Sequence, residues 1–108
     1  MNEIVTHFEV PADHPSLAGH FPGRPIVPGV VLLDLVFEAI ADALPVELVA
    51  IVSTKFQQAV APRMRIDLTV RFTPDERPGR VKARFTATHA QAPVLEGSLM
   101  LSVKEHKE

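Results

Sequence analysis

The chain contains no cysteine. A disulfide framework, a thiolate metal site and a cysteine nucleophile are therefore excluded, and a reducing, cytoplasmic setting is the expectation. No run of about eighteen apolar residues is present, so no membrane-spanning helix is expected. Met1-Asn2-Glu3-Ile4 lacks the basic region and apolar run of a signal peptide. The formal net charge is only -2, which argues against nucleic acid as the main partner. Internal repeats, low-complexity tracts and linkers are also missing. So are a Gly-x-Ser-x-Gly elbow, a Gly-x-Gly-x-x-Gly fingerprint and a phosphate-loop lysine. Ser16, Ser53, Ser98 and Ser102 stand in no nucleophile context. His7, His14, His89 and His106 lack ligand-like spacing and read as structural or exposed. What remains is one compact domain over residues 1–108, with 46% hydrophobic residues to build a core. A domain this small with exposed apolar strands can complete its core by dimerising.

The most informative stretch runs Gly19-His20-Phe21-Pro22-Gly23-Arg24-Pro25-Ile26-Val27-Pro28-Gly29-Val30-Val31-Leu32-Leu33-Asp34. Prolines 22, 25 and 28 each fix φ and stiffen the loop. Glycines between them permit turns and close approach to a ligand. A helix then begins at Pro28-Gly29. Its first N–H groups have no intrahelical partner and can receive a carbonyl oxygen that is gaining negative charge.

The spacing of apolar residues predicts the rest. Residues 3–10 read as a first strand, and 11–27 as loop. The helix is expected from about Pro28 to Leu44, stopping before Pro45. Apolar residues from Val30 to Leu44 cover nearly every face, which predicts a buried helix. Its only polar positions, Asp34, Glu38 and Asp42, are spaced by four and form one narrow stripe. Beyond the helix the period becomes two. Val46 to Thr54 reads as a strand, with Lys55 to Pro62 continuing extended. Ile66 to Thr73, Val81 to Thr88 and Leu95 to Val103 then alternate apolar with polar. Such strands have one buried and one wet face, as in an antiparallel sheet. The predicted architecture is α+β: one long central helix wrapped by a curved antiparallel β-sheet.

Histidine titrates near neutrality, so His20 is a candidate general base; the alternative is an ordinary loop histidine. Asp34, on the second turn of the helix, is either a carboxyl that must be paired or protonated, and then a candidate general acid, or part of a solvated face with Glu38 and Asp42. A base and an acid at one site would suit proton transfer at neutral pH.

Gly19-His20-Phe21-Pro22-Gly23-x-Pro25-x-x-Pro28-Gly29-Val30-x-x-x-Asp34 resembles the active-site segment of the β-hydroxyacyl-acyl-carrier-protein dehydratases of FabA and FabZ type. Lys55-Phe56 to Pro62, with the alternating strand after it, is similar to a second stretch of the same family. The short chain with this order of motifs looks most like the ApeI-type dehydratases of aryl polyene biosynthesis. Asp34 stands where FabZ-type enzymes have glutamate and FabA-type enzymes aspartate, whereas the loop is FabZ-like. Glu38 stands where both usually have glutamine, and two carboxyls one turn apart would compete for one proton if both were buried.

The resemblance implies the hotdog fold and a dehydratase acting on 3-hydroxyacyl thioesters. In that role His20 removes a C2 proton, the Gly29 or Val30 amide binds the thioester carbonyl, and Asp34 protonates the departing hydroxyl. The resemblance implies no metal or redox cofactor. The substrate would arrive on the phosphopantetheine arm of an acidic acyl carrier protein, with Arg24, Arg63 and Arg65 as candidate docking cations. Taken singly, each of the three reads first as an ordinary surface charge. A homodimer, or a heterodimer with a related hotdog chain, is implied, with His20 from one chain meeting Asp34 from the other. The competing expectations are a hotdog thioesterase, which would leave the loop histidine unexplained, and a non-catalytic hotdog subunit.

Overall fold

The computed structural model describes residues 2–15 and 26–104. Its elements are β1 (Glu3–Phe8), α1 (Gly29–Ala43), β2 (Val46–Phe56), β3 (Ile66–Pro74), β4 (Arg80–His89) and β5 (Ala92–Val103). All five strands form one antiparallel sheet in the order β1-β3-β4-β5-β2. Both β1 and β2 are edges of the sheet, and α1 packs against each of them, as a helix does when a sheet curls around it. The expected α+β arrangement is the one observed.

Local chemistry explains the helix ends. Pro28 is held extended at φ -60 and ψ 145, an angle its ring already imposes. Its carbonyl accepts the amides of Val31 and Leu32 at 3.0 and 3.3 Å. At the other end the Leu44 amide reaches the Ile40 carbonyl at 2.9 Å, and Pro45 has no N–H with which to continue. The expected helix was one residue longer at each end.

Strand alternation explains the core. Ile66, Leu68 and Val70 of β3, Ala83, Phe85 and Ala87 of β4, and Leu95, Leu99 and Leu101 of β5 are all buried. Val31, Leu32, Val36 and Ile40 of α1 pack onto this layer. Each large side chain so buried contributes about 1.5–3 kcal/mol. Val94 breaks the alternation. It is fully buried beside Leu95 because the β4–β5 register shifts between Ala87 and Thr88, so that Thr88 pairs with Pro93. The displaced Val94 turns inward, and its carbonyl accepts the amides of Gln57 and Gln58.

Three expectations need correction. First, α1 is not buried on all sides. Val30, Asp34, Glu38 and Ala41 are exposed, and their spacing of three and four sets them on one face. The five strands cover only the opposite face. Second, β2 ends at Phe56; from Gln57 the chain leaves the sheet to bond the β5 bulge instead of running extended to Pro62. Third, the first strand stops at Phe8, because Ile66, its last partner, begins β3. The structural reading of His89 holds: its ring Nδ1 lies 2.8 Å from the Arg65 carbonyl.

Gly97 shows how tightly β2 lies on β5. A Cβ there would collide with the Ser53 backbone carbonyl and come within 2.9 Å of the Phe85 ring. A backbone oxygen cannot swing aside as a side chain can. Gly97→Ala should therefore lower stability by about 1–3 kcal/mol, the usual range for an overpacked core. Urea unfolding of the two proteins checks this, and an unchanged midpoint would show that β2 can move away freely.

Candidate functional site

The start of α1 is built from three pieces of chain. Val27 donates its amide to the Val60 carbonyl at 2.8 Å, and Arg63 donates its amide to the Val10 carbonyl at 2.8 Å. Val10, Val27 and Val60 are buried together. Segment 60–63 thus ties down the chain on both sides of residues 16–25. His20 and Arg24 lie outside the described residues.

Gly29 opens the helix directly against the Phe56 ring. A Cβ on Gly29 would lie 2.7 Å from the ring Cζ, so only glycine leaves the ring room in its present position. A crevice of about 480 Å³ opens here, bordered by Val27, Gly29, Phe56, Gln57 and Val60. The amides of Gly29 and Val30 belong to the first helical turn, where no intrahelical carbonyl reaches them. Pro28 offers no side-chain cap, and the first turn carries no acid. The partial positive charge of the helix start is therefore not offset locally. An oxygen gaining negative charge is the group this end of the helix suits.

Asp34 stands one turn beyond Val30 on the open face of α1. Val30 is itself 66% exposed, an unusual exposure for a valine flanked by core residues. Asp34 and Glu38 are both exposed in the single chain, so they do not form the buried carboxyl pair that would share one proton. Glu38 and Asp42 border a shallow groove of about 450 Å³ along β1, together with His7 and Phe8. A third pocket, apolar and about 280 Å³, lies at the far end of α1 between Leu44, Phe72, Val81 and Leu101. No titratable side chain lines it.

Of the other candidate cations, Arg63 is exposed, and its backbone amide bonds the Val10 carbonyl. Its φ of 67 places it in the left-handed region. Arg65 pairs with Asp67 at 3.0 Å on the surface, where such a pair contributes little.

Two residues of this region escaped the sequence reading. Phe56 packs under the helix start, and Thr54, on the same face of β2, has a buried hydroxyl with no hydrogen-bond partner among the described residues. Phe56 had been noted only within the second stretch similar to the family, and Thr54 only as the end of a strand. Each matters because of what β2 faces across the fold.

This combination of one helix and a five-stranded antiparallel sheet is the hotdog fold. Among solved structures, the ApeI:P dehydratase heterocomplex from Xenorhabdus doucetiae superposes with a TM-score of 0.72 at 23% identity, covering 94% of this chain and 88% of that one. The fluoroacetyl-CoA thioesterase FlK superposes with a TM-score of 0.73 at 16% identity, covering 93% and 83%. These two similarities speak for the fold alone. The family model described as ApeI-like, ApeI dehydratase, matches residues 1–98, and the chain belongs to that family. Its curated relatives include the 3-hydroxyacyl-[acyl-carrier-protein] dehydratase FabZ of Blochmanniella pennsylvanica, 33% identical over 99 residues, covering 82% of this chain and 65% of that protein. The protein of the same name from Novosphingobium aromaticivorans is 40% identical over 67 residues, covering 51% of this chain and 42% of that one. The chain thus matches less than two thirds of the length of these relatives.

Gly29→Ala separates packing from site geometry. The obstructing atoms are the far end of a half-exposed ring, which can swing away, so the melting temperature should fall by less than about 5 °C. The Phe56 ring resonances should nevertheless shift. A large loss of stability with an unmoved ring would show that the glycine is needed for the helix backbone itself.

Proposed function

We propose that this chain is a dehydratase that removes water from 3-hydroxyacyl thioesters carried on acyl carrier protein, giving trans-2-enoyl thioesters in fatty acid or aryl polyene biosynthesis. The observation that carries the reading is the position of Asp34. It stands one turn beyond the Gly29 and Val30 amides, on the face of α1 that the sheet leaves open. Membership in the ApeI-like dehydratase family supports the reading, as do the names of the curated relatives.

In the proposed reaction, the thioester carbonyl oxygen accepts a hydrogen bond from the Gly29 or Val30 amide, which stabilises it as the enolate forms. His20 takes the proton from C2. The C3–O bond breaks as Asp34 delivers a proton to the departing hydroxyl, which leaves as water. The electron pair from the C2–H bond becomes the new C2–C3 double bond. His20 ends protonated and Asp34 ionised, and exchange with solvent restores both. No step calls on a metal or a redox cofactor. Arg63, and Arg24 in the adjoining segment, are the proposed contacts for the acidic carrier. The open face around Val30 and Asp34 is proposed to be closed by a second hotdog chain, whose loop supplies the His20 that meets Asp34.

Incubating the protein with a carrier-bound 3-hydroxyacyl thioester tests this reading by mass spectrometry. Loss of one water is expected. Release of a free thiol would make the protein a thioesterase, and no reaction would make it a binding or partner subunit. His20→Ala and Asp34→Asn should each lower dehydration by roughly 10²–10⁴-fold with the fold retained. Full activity in either variant would remove that residue from the mechanism.

A further inference from the structure

The face of the sheet turned away from α1 carries a polar depression of about 150 Å³. Strand alternation sets its walls. Phe85 of β4, with Leu95 and Leu99 of β5, is buried toward the helix, so Arg84, Thr86, Glu96 and Ser98 stand on the outer face. Strand pairing lines them up in two adjoining rows. Arg84 lies opposite Ser98, which lies opposite Ser53. Thr86 lies opposite Glu96, which lies opposite Lys55. All six border the depression. A register shift in β2 falls just before Ser53, and a bulge of this kind bends its strand and re-aims side chains. The crevice at Gly29 belongs to the helix side of the sheet, so the two places are distinct.

Two observations mark the depression as a place for an anion. The first is Ser98. Among the described residues it is the one buried polar residue, only 6% exposed. Its hydroxyl has no hydrogen-bond partner among them, yet, unlike the Thr54 hydroxyl, it is not closed off from solvent. A buried hydroxyl left unpaired costs stability. One that opens onto a cavity can recover that cost by bonding a ligand.

The second observation is charge. Arg71 and Arg84 lie directly opposite each other on β3 and β4, a like-charge pairing that weakens the strand contact. Arg71 donates to Glu3 at 3.0 Å. Arg84 has no ion pair among the described residues. Neither has Lys55, although it stands opposite Glu96. The six side chains thus comprise two cations, three hydroxyls and one carboxylate.

Size and the carboxylate narrow the ligand. Drug-sized molecules take pockets of about 300–1,000 Å³, so this volume suits a single small ion. A planar guanidinium fork matches two oxygens of a tetrahedral oxyanion, and serine and threonine hydroxyls can donate to the others. An ionised carboxylate only accepts hydrogen bonds, so Glu96 disfavours an anion with no proton to offer. Sulfate and a fully ionised phosphate monoester are such anions. Hydrogen phosphate keeps one O–H. We infer that the depression binds inorganic phosphate. Arg84 and Lys55 supply the charge, Ser53, Thr86 and Ser98 donate hydrogen bonds, and the phosphate O–H donates to Glu96. Glu96 is then the residue that selects phosphate over other oxyanions. The inference draws on the outer face alone and does not rest on the dehydratase reading.

Inorganic phosphate is titrated into the full-length protein in a buffer free of other oxyanions, at about pH 8, where a phosphate monoester is fully ionised. Binding is followed by calorimetry and by amide resonances. Saturable shifts at Ser53, Thr86 and Ser98 are expected. Arg84→Gln and Ser98→Ala should each weaken binding by roughly 10- to 100-fold, the worth of a hydrogen bond to a charged group. Arg84 is exposed, so Arg84→Gln decides the matter even if Ser98→Ala fails to fold. Sulfate and phenyl phosphate should bind at least about tenfold more weakly than phosphate. Glu96→Gln should remove most of that preference, because an amide can donate as well as accept. Shifts that do not saturate, or that persist unchanged in Arg84→Gln, would overturn the site. Equal affinity for sulfate, or tighter binding of phenyl phosphate, would overturn inorganic phosphate as its ligand.

Discussion

Helix α1 is more apolar than one five-stranded sheet can cover. Val31, Leu32, Val36 and Ile40 meet the core, and this contact sets the helix orientation. Once these four are inward, the helical repeat forces Val30, Asp34, Glu38 and Ala41 outward. The acid of the proposed chemistry is thus placed by the burial of its neighbours. It does not need to be buried by its own chain. An acid held on this open face is available to a partner surface.

The same shortage of cover appears at the edge of the sheet. Long exposed apolar edge strands invite pairing and are usually shortened, charged or twisted away. Strand β2 is 11 residues long and has charges only near its ends. Phe56, the last residue of β2, also touches Gly29 at the start of α1. The exposed edge of the sheet and the helix end that would hold the thioester are therefore in direct contact, and disturbance of one reaches the other through a single ring.

Much of the fold was legible in the sequence because its determinants are local. Pro28 and Pro45 bracket the helix, and two-residue alternation through Ile66-Leu68-Val70 and Ala83-Phe85-Ala87 marks strands with one buried face. The features that were not legible depend on residues far apart in the chain. An all-round apolar helix does not state which face its sheet will cover, so the exposure of Val30 and Asp34 had no local signal. The inward turn of Val94 follows from a register shift against β4. Glycine at 29 reads as a helix entrance, yet its packing requirement comes from Phe56, 27 residues later. For the candidate site, Asp34 and the Gly29–Val30 amides were picked out from the motif, whereas the pairing of Arg65 with Asp67 needed the structure. His20 and Arg24 lie outside the described residues, and their roles rest on the motif.

The measurement that bears most directly on a dehydratase site shared between two copies is complementation between two inactive proteins. His20→Ala and Asp34→Asn chains are unfolded together, refolded as an equimolar mixture and assayed on a 3-hydroxyacyl thioester. If His20 of one copy meets Asp34 of the other, a mixed dimer holds one doubly substituted site and one intact site. Random pairing makes about half the dimers mixed, so about a quarter of the native activity should return. A mixture that re-forms dimers and stays inactive would contradict the shared site.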